Sequence, residues 1–166
     1  AERRLGVVDT PGDETFVERT FERRLGDWRL NLLSRETARD PAGNRLREQY
    51  SFYDARGNLE RAEVWLDTED RRIVVQRQRH DAFGNVIETT DARGNRRTVT
   101  FDPLLHVLPI SETIHLENRD LTMTAEYDLG FGVLTGAVDF SGQRSDFVYD
   151  PLARLVEERS PGGAGE

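Results

Sequence analysis

No cysteine occurs anywhere in the 166 residues, so disulfides and thiolate chemistry are excluded and the redox compartment stays open. Lysine is missing too, which makes every one of the 23 basic residues an arginine. No apolar run comes near the roughly 20 residues that a helix needs to cross a bilayer. Ala1-Glu2-Arg3-Arg4-Leu5 is not followed by the hydrophobic core of a signal peptide. A basic stripe that could track phosphates is also lacking. Net charge is −8, with acids and arginines mixed along the length, which disfavours nucleic-acid binding. Apolar residues make up only 36% of the chain against 33% charged. A chain of this length can bury a core, but at this composition it wets a large face or belongs to something bigger that covers it. It opens in mid-pattern and without Met, as a segment of a longer protein would.

What is present is a regular series of turns. Asp-x-x-Gly occurs at Asp9–Gly12, Asp40–Gly43, Asp54–Gly57, Asp81–Gly84, Asp91–Gly94 and Asp139–Gly142. Variants with the Gly replaced or shifted stand at Asp102-Pro103-Leu104-Leu105, Asp128-Leu129-Gly130-Phe131-Gly132 and Asp150-Pro151-Leu152-Ala153. From Asp40 the successive aspartates are 14, 27, 10, 11, 26, 11 and 11 residues apart. Each long interval has a polar, turn-like stretch near its midpoint, Asp67-Thr68-Glu69-Asp70 and Glu117-Asn118-Arg119-Asp120. One turn therefore falls every 10 to 14 residues, which is the beat of β-hairpins. Asp suits the first position of a type I turn, where its carboxylate accepts backbone N–H groups further on. Pro41, Pro103 and Pro151 stand at the favoured second position, and Gly at the fourth supplies the positive φ that joins the turn to twisted strands through a bulge. An amide residue follows at Asn44, Asn58, Asn85, Asn95 and Gln143. Asp9–Gly12 fits least well, with Pro11 at the third position.

Between turns the segments alternate as strands do. In Thr98–Phe101 and Thr122–Tyr127 the residues Val99, Phe101, Met123, Ala125 and Tyr127 fall on one side, which is expected to be buried. Val64 and Leu66 do the same, as do Phe147 and Tyr149, while the opposite faces carry Thr, Arg, Glu and Gln. Val75–His80 is mostly polar on both sides and is expected to face water twice. Asn44–Tyr53 is read as a strand leading into Asp54, and no segment has convincing helical periodicity with caps. The N-terminal third is less regular, with Phe16, Phe21, Leu25, Trp28, Leu30 and Leu33 as its expected apolar anchors and Gly26-Asp27 as a turn. About a dozen strands are expected, mostly antiparallel to their chain neighbours.

The stretches Tyr53-Asp54-Ala55-Arg56-Gly57-Asn58-Leu59, His80-Asp81-Ala82-Phe83-Gly84-Asn85-Val86 and Tyr149-Asp150-Pro151-Leu152-Ala153-Arg154-Leu155 resemble the YD repeat of Rhs proteins. The turns also pair in that family's manner: an aromatic-Asp turn, a strand, an Asp-x-x-Gly-Asn turn, a strand, and a new aromatic-Asp. Asp139–Gln143 followed by Tyr149-Asp150, and Asp91–Asn95 followed by Phe101-Asp102, are two such pairs. The run from Phe101-Asp102-Pro103 to Tyr127-Asp128 is most similar to the YD-repeat parts of Tc-toxin B components and related secreted toxins. The resemblance covers about residues 37 to 160. It implies an all-β fold of consecutive antiparallel hairpins, forming a twisted, curved sheet that is a segment of a spiral β-shell. In that family the shell encloses a toxic C-terminal polypeptide, and more distantly similar repeats form the barrel of teneurin adhesion receptors. The autoproteolytic Rhs core motif is absent, because Asp102-Pro103 and Asp150-Pro151 run into ordinary repeats. The expected organisation is an irregular β segment over 1–36 leading into the repeats, a YD-repeat hairpin array over 37–159, and a Gly-rich flexible tail or linker over 160–166.

The aspartates recur at one turn position in every copy, so a turn role explains all of them together. Asp67, Glu69 and Asp70 form the densest acidic cluster, but they lack the ligand series and glycine of an EF-hand loop. His80, His106 and His115 have no pairing at metal-ligand spacing, and His80 stands where other copies carry Tyr or Phe. The serines have no nucleophile-elbow context, and Gly130-Phe131-Gly132 is too short for a phosphate loop. No catalytic residue, metal site or cofactor is expected. Tyr53, Phe101, Tyr127 and Tyr149 either pack on neighbouring strands or form a ladder on which sugars stack. The first alternative makes the chain a non-catalytic wall segment of a shell, partnered by the rest of that shell and an enclosed cargo polypeptide. The second makes it a cell-surface module that binds glycans or a receptor. Self-association through sheet edges is a further expectation. Nucleic acid and membrane insertion are not expected. The resemblance places the larger protein outside the cell or on its surface.

Overall fold

The computed structural model describes residues 2–4 and 14–160. The Asp9–Gly12 turn and nearly all of the expected tail therefore lie outside the described residues. The chain is all-β and divides into two compact units, Ala1–Gln78 and Arg79–Glu166. Unit 1 holds β1 (Glu2–Arg4), β2 (Thr15–Arg24), β3 (Arg29–Arg39), β4 (Arg45–Tyr53), β5 (Leu59–Leu66) and most of β6 (Arg71–His80). Unit 2 holds β7 (Val86–Asp91), β8 (Arg96–Phe101), β9 (Pro109–His115), β10 (Asp120–Asp128), β11 (Val133–Val138), β12 (Arg144–Tyr149) and β13 (Leu155–Arg159). Within each unit every strand pairs antiparallel with its chain neighbours, so each is an up-and-down meander. Short 3₁₀ turns at Leu25–Asp27 and Asp67–Glu69 close two of the connections, each capped by a left-handed residue, Trp28 and Asp70.

The register shows which residues share a face. Val99 is opposite Glu112, which is opposite Met123, while Thr98, Thr113 and Thr122 form the adjoining row. In β10 the alternation is complete: Leu121, Met123, Ala125 and Tyr127 are half-buried and Thr122, Thr124 and Glu126 are exposed. The second face of this sheet is a hydroxyl face, where Thr113 and Thr122 share a hydrogen bond of 2.9 Å. His115 links Thr98 and Asp120 there at 3.0 Å each.

Within each unit the sheet is one layer thick, and this corrects the expectation that the N-terminal anchors are buried. Among the described residues the only buried apolar side chains are Val17 and Ala38. The aromatic and leucine anchors expected in the N-terminal third are largely exposed: Phe16, Phe21, Leu25 and Leu30 meet solvent and Trp28 is 85% exposed, leaving Leu33 half-buried. Apolar content alone does not bury a residue when no second layer packs over it. Strand β6 also departs from expectation. Ile73 to Gln76 are half-buried, and beyond them exposed Arg77 and Arg79 alternate with half-buried Gln78 and His80.

Candidate functional site

The turns have a common build. In the Asp-x-x-Gly-Asn copies the Asp N–H donates to the Asn carbonyl, and the Gly N–H donates back to the Asp carbonyl, for Asp40, Asp54, Asp81 and Asp91 alike. The glycines lie at φ +86 to +91°, as Gly94 and Gly84 illustrate, where a Cβ would be strained. One Asp oxygen accepts the backbone N–H of the following amide residue: 2.7 Å for Asp40–Asn44 and 2.9 Å for Asp54–Asn58. The other accepts the same asparagine's side-chain Nδ2, at 2.7 Å for Asp40 and 2.8 Å for Asp91. That second bond explains why Asn follows Gly in these four copies, a regularity in the sequence that turn propensity alone leaves unaccounted for. Side-chain donation from Asn44 and Asn95 holds the carboxyls of Asp40 and Asp91 below their ordinary range.

The divergent copies keep this logic with other residues. At Asp139 the backbone N–H groups of Ser141 and Gln143 donate, with Gly142 at φ +80°. At Asp150 the Arg154 Nε replaces the asparagine amide at 2.7 Å, and Ala153 takes the left-handed position. Asp128 accepts from Gly130 and Phe131. Asp102 differs most. It is 2% exposed, spans a wider loop to Leu108, and receives the N–H groups of Leu104, Leu105, Val107 and Leu108. Burial pushes its carboxyl up, but those backbone donors outweigh burial and hold it far below the usual range.

Alternate turns of a meander lie at the same end of the strands, so each unit has two rims. In unit 2 the aromatic-Asp turns after His80, Phe101, Tyr127 and Tyr149 share one rim, and those at Asp91, Leu116–Arg119 and Asp139 share the other. The aromatic-Asp rim carries exposed Phe83, Leu104, Val107, Phe131 and Leu152. In unit 1 the turn after Tyr53 shares its rim with exposed Leu25 and Trp28. Neighbouring turns on this rim are stapled together. Arg24 Nη2 donates to Tyr53 O at 3.1 Å and Arg29 Nη1 to Ala55 O at 2.6 Å. Phe83 stacks on His106 at 3.9 Å, and Asn85 Nδ2 donates to His106 O at 2.6 Å.

The repeat aromatics Tyr53, Phe101, Tyr127 and Tyr149 are all half-buried. Tyr53 donates its hydroxyl to Leu33 O at 2.9 Å and Tyr127 to Pro109 O at 3.2 Å, each on the preceding strand. Asp67, Glu69 and Asp70 are not drawn into a ligand set. Asp70 instead accepts from Arg45 and Trp65, and Glu69 pairs with Arg71. Among the described residues no group of three metal-ligating side chains converges.

Sequence reasoning missed the arginine networks of unit 1. Glu48, 1% exposed, accepts Arg35 Nε at 2.8 Å and Thr37 Oγ1 at 2.9 Å on one oxygen, and Arg45 Nη1 at 3.0 Å on the other. Burial raises its pKa, but these donors win and lower it to about 2. On the opposite face Glu36 is held between Arg19 at 2.8 Å and Arg47 at 2.6 Å. Arg45 lies over Trp65 at 3.6 Å, Arg61 over Phe52 at 4.2 Å, and Arg72 and Arg35 over Tyr50 at 4.6 and 5.6 Å. Each such stack contributes about 0.5–1 kcal/mol at an exposed site. The only available signal would have been the register, which brings residues 11 to 17 positions apart into contact. This face also encloses an open concavity of about 680 Å³.

Together these features define a class: an all-β hairpin-repeat array in which, within each unit, the aromatic-Asp turns lie along one rim and the intervening turns along the other. Solved structures share that fold. A Tc holotoxin pore from Photorhabdus luminescens matches 86% of this chain with a TM-score of 0.65 at 16% identity. A TcdB2–TccC3 structure without its hypervariable C-terminal region matches 94% with a TM-score of 0.60 at 15% identity. This chain spans 7% and 9% of those chains respectively. No protein-family model and no curated protein matches the sequence. The resemblance to Rhs and Tc-toxin shells read from the repeats is thus met at the level of the fold.

Proposed function

We propose that this chain is a non-catalytic wall segment of an Rhs/YD-repeat shell, part of a larger secreted or cell-surface protein that encloses a toxin or effector polypeptide for delivery. One observation carries the reading. Each unit is a single-layer sheet that buries almost no apolar side chain, yet it sets a row of large apolar residues along one rim of turns. A panel built to be covered by neighbouring wall has that distribution; a free-standing module would fold its apolar groups onto themselves.

In this reading residues 37–159 are the repeating wall, 1–36 lead into it and 160–166 link onward. The partners are the rest of the shell, along the apolar rim and the strand edges, and the enclosed chain on one face. The mechanism is steric and mechanical and requires no cofactor. The aspartates and glycines of the turns set the spacing of the hairpins, and the repeat aromatics fasten each strand to its predecessor. Because the hydroxyls of Tyr53 and Tyr127 are tied to backbone carbonyls, these rings favour fastening over a sugar-stacking ladder. The test is protease protection of the cargo in the parent protein. Deleting residues 37–159 should leave the cargo digestible, and a shell that still closes and protects it would overturn the proposal.

A further inference from the structure

The concavity on unit 1 is chemically unlike the rest of the molecule. Five arginines line it, Arg24, Arg35, Arg61, Arg72 and Arg77, against two glutamates, Glu22 and Glu60, in a chain whose net charge is −8. Two of the arginines are set directly against each other. Arg61 of β5 and Arg77 of β6 are cross-strand partners, and like charges opposite one another destabilise a sheet. Neither is neutralised well. Arg61 Nε lies 3.1 Å from Glu63 but is buried without a hydrogen bond, and the Arg77 side chain has no ion-pair or hydrogen-bond partner among the described residues. An arrangement that costs stability and faces an open cavity is accounted for by an anion that seats between the two guanidinium groups.

We infer that this concavity is a binding site for an acidic stretch of polypeptide, whose carboxylates pair with Arg61 and Arg77. The floor decides the ligand class. Guanidinium groups already cover the Tyr50 and Phe52 rings, so neither gives sugars or bases a free face on which to stack, and the third aromatic of the lining, Tyr53, is tied by its hydroxyl to Leu33 O. What remains open is a set of forked donors that match carboxylates in a two-point fashion. Ser34, Ser51 and the two glutamates also line the concavity. A densely charged phosphate or sulfate polymer would run onto those glutamates, whereas a peptide with spaced acids avoids them. This inference is independent of the wall reading, since it requires only that the face be accessible.

The test uses the full 166-residue chain and a fluorescent ten-residue peptide of alternating Glu and Ser, read by anisotropy at low salt. Arg77→Gln should weaken binding by about tenfold and Arg61→Gln/Arg77→Gln should abolish it, the scale expected for charge-assisted hydrogen bonds. Arg93→Gln, on a turn of unit 2, should change nothing. With no peptide present, Arg77→Gln should raise the melting temperature by about 1–2 °C, because the like-charge pair is gone. Binding lost together with stability gained supports the site and shows that the variant folds. Failure of the wild-type chain to bind overturns it, as does undiminished binding by the double variant. Tighter capture of a heparin oligosaccharide or of inorganic phosphate than of the peptide overturns the assignment to polypeptide.

Discussion

In unit 1 the strands β2 to β6 run 8 to 11 residues and are laced by arginine–glutamate pairs on both faces. In unit 2 the strands β7 to β13 run 5 to 9 residues, and the dense bonding sits in the turns, around Asp81, Asp91, Asp102, Asp128, Asp139 and Asp150. The difference teaches where a one-layer sheet can find stability. Half-burial of apolar groups returns only part of the roughly 1.5–3 kcal/mol that full burial of a large side chain would. The remainder must come from polar geometry. Long strands offer many cross-strand positions for ion pairs, while short strands devote a larger share of the chain to turns.

Acid should produce the largest effect, and in both units. Glu48 has a folded pKa of about 2 against 4.5 for the free side chain, so its ionised form favours the folded state. Its contribution is complete above about pH 4.5 and is lost as pH falls toward 2. Asp81, Asp91, Asp102 and Asp150 are lowered in the same direction, so unit 2 loses stability on the same side. Urea midpoints measured from pH 7 down to 2 should be flat to about 5 and then fall. A midpoint that rises on acidification would contradict the role given to these carboxylates.

Glu48→Gln should come next, losing about 2 kcal/mol, below the 3–5 typical of a broken buried pair because Arg35 and Arg45 remain partly solvated. Its effect should concentrate in β3 and β4, as hydrogen exchange would reveal. Glu126→Gln, which removes an exposed partner of Arg144, should be nearly silent. Asp102→Asn sharpens the comparison from the other side. It should release the amides of Leu104, Leu105, Val107 and Leu108 to exchange while leaving β2 to β5 untouched. Smaller again is Gly94→Ala, at about 1 kcal/mol. A Cβ there meets nothing within 4 Å, so the whole cost is its φ of +86°. Ala153→Gly should go the opposite way, stabilising by about 0.5 kcal/mol, because Ala153 already sits at φ +58°. Thermal melts of the two variants would check both signs.

The turns were legible because their chemistry is local. Asp, Gly and Asn within five residues specify both the hydrogen bonds and the left-handed glycine. The faces of β8 and β10 were legible for the same reason, since period two needs only the strand itself. The Glu36 and Glu48 networks were not, because their partners depend on which residues lie opposite across β2, β3 and β4. The exposure of Trp28 and Leu25 was not legible either, since burial depends on what lies above a sheet, which local pattern does not report. Asp102 looked like a turn that had lost its glycine. The left-handed residue is His106 instead, and the loop widens to give the carboxylate four amides.

The opposition of the two rims carries an evolutionary consequence. Adding or removing one strand would exchange the rims for everything that follows, placing Leu104-type turns where Arg93-type turns belong. Adding or removing two leaves every later turn on its own side. Lineages of such proteins should therefore differ in length by whole hairpins, with strand number conserved in parity even where residues are not. Because each strand's backbone pairs only with its chain neighbours within a unit, and side chains such as Arg24 and Arg72 reach just one strand further, a duplicated hairpin can be accommodated with little distant packing to renegotiate.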